Sequence, residues 1–338
     1  MIDNIKKIHV NYFQRKPWKG FSFSMEFIFN DIRERLKDRI EAAIFISPYH
    51  NSGYLSKLAN IIAARSHQSN DINHITGEVH FLNLFMNSKN VVLTILDCGM
   101  VRRKKGVSQK LINWLYLKLP VQKSRIVTTI SEATKAEIIK YTSCESDKII
   151  IIPVAINPIF KPHKKEFNTA KPIILHIGTG YNKNLLRLIS ALRSINCHLV
   201  IIGELFSEQL AALHDNNISF TNEYNLSNEQ LLQKYIECDI VSFVSTFEGF
   251  GMPIVEANTV ERVVVTSSVS SMPEVAGNAA CLVDPFDIQS IQAGFIKVIN
   301  DNSYRNLLIQ NGRINKLRFD GDRIADMYFD LYSSIYQN

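Results

Sequence analysis

The chain is poor in cysteine and has nothing that would organise the few it carries. Five cysteines in 338 residues (Cys98, Cys144, Cys197, Cys238 and Cys281) are odd in number and scattered, with no C-x-x-C pair and no Cys/His spacing of a zinc site. That excludes a disulfide framework and a structural zinc module and leaves reduced thiols. Long apolar runs are missing too: nothing reaches the roughly 18–20 residues of a spanning helix, and the opening residues lack the apolar core of a secretory signal. The expectation is a cytoplasmic protein whose membrane contact is at most peripheral, at the inner face. No G-x-G-x-x-G follows the first apolar strand, and there is no Walker loop and no G-x-S-x-G elbow, which removes dinucleotide dehydrogenases, P-loop enzymes and serine hydrolases of that type. The one Asp-x-Asp, Asp320-Gly321-Asp322, precedes a terminal helical segment and reads as its cap. No catalytic metal and no cofactor is expected.

What is present is ordinary globular material: 46% hydrophobic, 21% charged, and 38 Lys and Arg against 32 Asp and Glu, a net +6 that suits an anionic substrate and does not demand nucleic acid. Apolar runs of four to six residues alternate with segments of helical period, the pattern of parallel sheets wrapped by helices. The predicted fold class is α/β, with two doubly wound, Rossmann-like domains facing a cleft. Strands are expected at 8–13, 43–46, 72–75, 91–95, 126–129 and 149–152, with helices such as 25–40 and 132–141 between them. A proline-rich, polar stretch at 158–172 reads as a linker between domains at 1–157 and 173–320. The second half restarts with strands at 173–177, 199–202, 218–220, 240–244, 263–266 and 281–283, and a terminal helix at 321–338 is drawn as crossing back to the first domain. Ser227 with Gln230 makes a capping box, and Asp287 caps the helix running to Asn300.

The stretch Ser245–Ala257 carries the chemistry. Gly249 and Gly251 permit close approach of a ligand to the backbone, Phe250 and Met252 flank them, and Pro253 suits a first helical turn, so the start of this helix is an anion site. Glu248 on the loop and Glu256, expected in the first turn, are two carboxylates eight residues apart that can flank a phosphate-and-sugar ligand; the plainer reading is that Glu256 only complements the helix dipole.

Glu248-Gly-Phe-Gly-Met-Pro-Ile-Val-Glu256 resembles the E-x7-E motif of the retaining glycosyltransferase family 4, and Thr266–Ala280 followed by Leu282-Val-Asp-Pro285 resembles the segment that follows this motif. The likeness spans about 173–311 well and the first half more weakly. It implies the two-domain fold called GT-B. It also implies that Glu256 binds the nucleotide ribose, while Glu248 and the backbone from Gly249 to Met252 hold sugar and diphosphate. Lys183, in Gly178-Thr179-Gly-Tyr-Asn-Lys183, matches the family lysine that neutralises the diphosphate, and a cation there stabilises the departing charge. Thr179 stands where the family carries an arginine, and Arg187 or the run Arg102-Arg-Lys-Lys105 are the available substitutes. Gly203, Asn225 and Leu226 match positions that hold the base, and Gly20 falls in a loop near the diphosphate and acceptor.

In the first half, Leu96 replaces the histidine of a His-Asp pair, leaving Asp97, with His80 as a candidate stand-in and His74 as a core residue. Ser131 reads as a helix cap. The resemblance therefore implies a metal-independent enzyme with a nucleoside-diphosphate-sugar donor and a glycan or lipid-linked acceptor. Two alternatives stand beside it: a non-catalytic nucleotide-sugar-binding subunit, and an epimerase or phosphorylase of the same fold. The basic run before Leu111–Lys118 is the candidate place for contact with an anionic lipid surface, but apolar residues lie nearly all round that segment rather than on one face, which favours a buried helix with a solvated charged start.

Overall fold

A computed structural model describes residues 7–17, 24–51, 53–102 and 106–337. Gly20 and Arg103, Lys104 and Lys105 lie outside them. The chain divides into two compact units, one formed by Met1–Ala155 with Gly321–Asn338, the other by Ile156–Asp320.

The first unit is built on a parallel sheet of β1 (Ile8–Gln14), β2 (Ile40–Ile46), β3 (Ile72–Ile75), β4 (Val91–Ile95), β5 (Ile126–Thr129) and β6 (Ile149–Ile151), ordered β2-β1-β3-β4-β5-β6. The inner strands β3 and β4 are buried on both faces, as parallel sheets require, whereas the edge strand β2 leaves Ile44 and Ile46 exposed. Phe13, Ile75, Leu93 and Val127 form one core. On the other face Val10, Tyr12, Ile72 and Val92 pack with Ile324, Tyr328 and Tyr332 of the terminal helix Gly321–Tyr336. Tyr332 anchors that helix through its hydroxyl, 3.0 Å from that of Tyr12 and 2.7 Å from His74 Nδ1, while His74 Nε2 meets Thr94 Oγ1 at 2.7 Å. Burial holds the His74 imidazole neutral, its pKa pushed down to about 3. His74 is thus a fully hydrogen-bonded core residue.

The second unit repeats the plan with β7 (Ile173–Ile177), β8 (His198–Ile202), β9 (Phe220–Glu223), β10 (Ile240–Phe243), β11 (Val263–Ser267) and β12 (Cys281–Val283), ordered β12-β11-β10-β7-β8-β9 and parallel wherever they pair. The residues expected as a linker pack into this unit. Asp239 receives Lys165 and the backbone N–H groups of Asn168 (3.1 Å) and Ile173 (2.8 Å), and Arg262 donates to the carbonyl of His163 at 2.7 Å.

Two element boundaries differ from the sequence pattern. The helix expected to run to Ile40 ends at Leu36, because Ile40 pairs with Ile8 at the start of β2. The strand expected at 218–220 begins at Phe220. Asn217 turns into the left-handed region, and Ile218 N–H closes on Leu213 O at 3.0 Å, so Ile218 belongs to the end of the helix Ser207–Asp215. Both misreadings come from apolar residues that serve as caps or strand starts instead of extending the neighbouring period.

Candidate functional site

In the second unit the chain runs from β7 through β8 to β9 on one side and returns from β9 to β10 on the other side of β7, so the carboxyl ends of β7 and β10 form the switch point at which doubly wound sheets bind ligands. The two informative loops leave from there. After β7, Gly178 adopts φ +92°, and a short turn Tyr181–Lys183 ends on Asn184 at φ +63°. Asn184 is pinned by its amide to the carbonyls of Val244 (3.0 Å) and Pro285 (2.7 Å). After β10, the loop reaches Gly251 at φ +137°, the N-cap of the helix Met252–Val260, with Pro253 in the first turn.

Side chains from these loops meet. Lys183 Nζ lies 2.7 Å from Glu248 Oε1, and Asn182 Nδ2 reaches the same oxygen at 3.0 Å. The Lys183 ammonium also sits 4.9 Å from the centroid of the Phe243 ring, a cation–π contact. The Glu248 loop is held from β11: the hydroxyls of Ser270 and Ser271 donate to Glu248 O at 2.7 and 3.0 Å, and Ser271 also donates to Phe250 O. Phe250 packs edge-on to Phe319 at 5.5 Å. Gly249 and Gly251 thereby lie on a fixed loop that leads into the start of the helix Met252–Val260, where Ile254 N–H closes on Gly251 O at 2.9 Å.

Glu256 sits in the second turn of this helix, not the first, so dipole complementation does not explain it. Its Oε2 accepts the Tyr235 hydroxyl, and burial raises its pKa to about 7 against the lowering effects of Tyr235 and Lys183. Beneath Lys183 lies His176, buried on β7, its pKa pushed down to about 4 by burial first and by the Lys183 charge second. Thr179 does not replace a cation: its hydroxyl donates to Glu204 O at 2.6 Å and it packs against Gly203, where a Cβ would come within 3.1 Å of its methyl. Arg187 turns to Asn184 Oδ1 (2.9 Å) and the Phe286 ring. Asn225, at φ +57°, and Leu226 follow β9 ahead of the helix Asn228–Glu237, whose Ser227/Gln230 capping box is present.

In the first unit, His80 and Asp97 follow the neighbouring strands β3 and β4. His80 Nδ1 meets Tyr116 O at 3.0 Å, and Asp97 Oδ1 accepts Gly99 N–H at 2.7 Å, opening a short helix. Ser131 caps the helix Glu132–Thr142 by accepting Thr134 N–H at 3.1 Å, and Arg102 pairs with Glu137. Among the described residues no three His, Cys, Asp or Glu side chains are grouped to hold a metal ion, and no helix is long and apolar enough to cross a membrane.

Sequence reasoning missed Asn182, Tyr235, Ser270 and Ser271. Asn182 was signalled only by its place beside Lys183, and the two serines by their position after a strand. Tyr235 carried no signal, because it reads as one more apolar residue on the inner face of an amphipathic helix.

Residues 159–315 match the family described as glycosyl transferases group 1. Among curated proteins, the chain is similar to O-antigen chain mannosyltransferase B of Escherichia coli, 24% identical over 230 residues, covering 62% of this chain and 60% of that one. It is also similar to O-antigen chain mannosyltransferase RfbU of Salmonella typhimurium, 25% identical over 215 residues, covering 61% and 60%. The matched region thus spans about 60% of the length of each of these relatives. Among solved structures, sucrose-phosphate synthase from Thermosynechococcus elongatus aligns with a TM-score of 0.80 at 14% identity, over 98% of this chain and all of that one. HepE of Anabaena in complex with UDP and glucose aligns at 0.77 and 16%, over 97% and 100%. The two six-stranded units therefore have the GT-B fold of glycosyltransferases.

Proposed function

We propose that this protein is a metal-independent, retaining glycosyltransferase that moves a hexose from a GDP- or UDP-linked donor to a hydroxyl of a glycan or lipid-linked acceptor in cell-surface polysaccharide assembly. The observation that carries the proposal is the meeting of Lys183 and Glu248 at the sheet's switch point, beside the amino end of the helix that carries Glu256. The match to group 1 glycosyl transferases and the mannosyltransferase relatives support the reaction class.

The roles follow from the chemistry of the groups. Lys183 and the amides at the start of Met252–Val260 neutralise the diphosphate as it departs. Glu256, once ionised, accepts both hydroxyls of the ribose diol. Glu248 exchanges its lysine for a sugar hydroxyl when the donor diphosphate takes over the cation. Gly203, Asn225 and Leu226 frame the base through backbone groups. Catalysis is then positioning and charge stabilisation on the same face as the leaving group, with no covalent nucleophile.

An acceptor presented at a membrane surface is supported by the helix Tyr54–Ser66. It exposes Tyr54, Leu55, Leu58 and Ile62 along one ridge, the first two more than 80% exposed. From Ser47 to Asn70 there is no acidic residue, while Lys57 and Arg65 are present. Apolar side chains flanked by cations suit an anionic lipid surface.

The test is thermal unfolding with GDP, UDP, ADP and NAD at matched concentration, followed by turnover of GDP-mannose and UDP-glucose. One nucleoside diphosphate should raise the midpoint, by about 2.7 kcal/mol of stabilisation at 100 times its Kd. A chain stabilised by none of them, and turning over neither sugar nucleotide, is not this enzyme.

A further inference from the structure

His80 is oriented by a proline forty positions along the chain. Pro120 lies four residues after Tyr116 and has no N–H, so the ordinary α-helical bond to the Tyr116 carbonyl cannot form. The backbone there runs through a π-turn, Trp114–Lys118, in which Leu119 N–H reaches back five residues to Trp114 O. Single π-turns of this kind recur at functional sites. The Tyr116 carbonyl receives the His80 ring instead, at 3.0 Å from Nδ1.

A carbonyl only accepts, so Nδ1 carries the proton. Burial lowers the pKa of the imidazole, which keeps it neutral, and the lone pair is therefore on Nε2. The carboxylates facing the ring are Asp97 and Glu78, which act against that lowering. Phe81 packs edge-on to the Tyr116 ring at 5.7 Å, and Lys57 lies 5.0 Å from the centroid of that ring, so the carbonyl's segment is held from two elements. His80 is half-buried, and among the described residues no hydrogen bond reaches its Nε2, nor is that atom one of the buried unpartnered ones. A neutral imidazole with one nitrogen clamped and no partner recorded for the other among the described residues is a hydrogen-bond acceptor a few residues beyond the carboxyl end of β3, where ligands of such sheets bind.

We propose that His80 Nε2 accepts a hydrogen bond from a sugar hydroxyl of the acceptor substrate, which makes His80 an acceptor-recognition residue. This rests on the transferase reading above. No proton is transferred: the hydroxyl stays intact, and its direction and spacing are what the nitrogen reads.

The full chain labelled with 15N-histidine gives the first test, with the His80 signal assigned by its loss in His80→Gln. A pyridine-like Nε2 and a protonated Nδ1 are expected, and methyl α-mannoside added in the presence of GDP should shift the Nε2 resonance. Pro120→Ala, which gives Tyr116 O a helical partner, should loosen the tautomer towards a mixture. A protonated Nε2 in the wild type overturns the proposal, as does an Nε2 resonance indifferent to the mannoside. With GDP-mannose as donor and methyl α-mannoside as acceptor, His80→Phe should raise the acceptor KM about tenfold, His80→Gln should restore part of it, and the donor KM should not move. A change confined to the donor KM overturns the assignment to the acceptor. Absence of wild-type turnover with either sugar nucleotide instead defeats the transferase reading, while the imidazole spectra still decide what His80 does.

Discussion

Lys183 and Glu248 are joined Nζ to Oε1 at 2.7 Å, across 65 residues of sequence, with side chains 23% and 16% exposed. The cation proposed to meet the diphosphate is thus held by a carboxylate, from which, on that proposal, the diphosphate takes it over. A part-exposed pair of this kind contributes about 0–1 kcal/mol to folding, whereas removing a cation that faces a developing negative charge costs roughly 10²–10³ in turnover. Lys183→Met should therefore fall by that factor in kcat while its unfolding midpoint stays near that of the wild type. A large loss of stability with turnover retained would reverse the assignment.

Gly178 offers a way to disturb the same lysine without changing any charge. It holds φ +92°, and a Cβ there would lie 2.8 Å from Lys183 Cε and 3.0 Å from its Cγ. Gly178→Ala should cost about 1–3 kcal/mol of stability through backbone strain and weaken nucleotide binding by displacing the lysine stem. Calorimetric titration with the stabilising nucleotide measures the second effect, and an unchanged Kd would show that the stem's position is immaterial.

Glu256 makes binding depend on pH. Its pKa is raised to about 7, chiefly by burial, and the ribose contact proposed for it needs the ionised form. Nucleotide affinity should fall as pH drops below about 7, and binding at pH 7 should release a fraction of a proton, visible as a buffer-dependent enthalpy. The sign for stability is opposite. A carboxyl whose folded pKa is raised favours folding in its protonated form, so its contribution is complete below the unfolded value, near 4.3, and is lost as pH climbs through about 7. Glu256→Gln should thus be more stable than wild type at pH 8, on the order of 3–4 kcal/mol, with the gap closing near pH 4, and should lose nucleotide affinity at both. Equal stability at pH 8 would mean that the buried carboxyl carries no such penalty.

The exposed ridge on Tyr54–Ser66 predicts sedimentation with phosphatidylglycerol vesicles and little with phosphatidylcholine ones. Replacing both Leu55 and Leu58 by Asp should abolish it, and adding salt should weaken it as screening removes the attraction of Lys57 and Arg65. Equal binding to both vesicle types would remove the electrostatic part of the argument.

Much of the fold was legible in the residues alone. Parallel strands buried on both faces must be apolar runs, so ten of the twelve strands of the two sheets start within one residue of the expected position; β2, which begins at Ile40 instead of 43, and β9 are the exceptions. Caps were equally readable: Ser131, Ser227 and Asp287 act within three residues of themselves. The site was legible in part. Glycines at positive φ and a proline in a first turn are local requirements, and a lysine beside a glycine-rich loop is visible as such.

What only the tertiary structure decided are the pairings that cross strands. Sequence order says nothing of β10 lying next to β7, yet that adjacency brings Glu248 to Lys183 and Asn182 and puts His176 beneath them. Nor does spacing reveal that Tyr235 reaches Glu256, or that Pro120 leaves a carbonyl for His80. Local propensity depends on neighbours a few residues away and is written along the chain. Burial, pKa and hydrogen-bond partners depend on which distant segments are packed side by side, and they exist only once the sheets have formed.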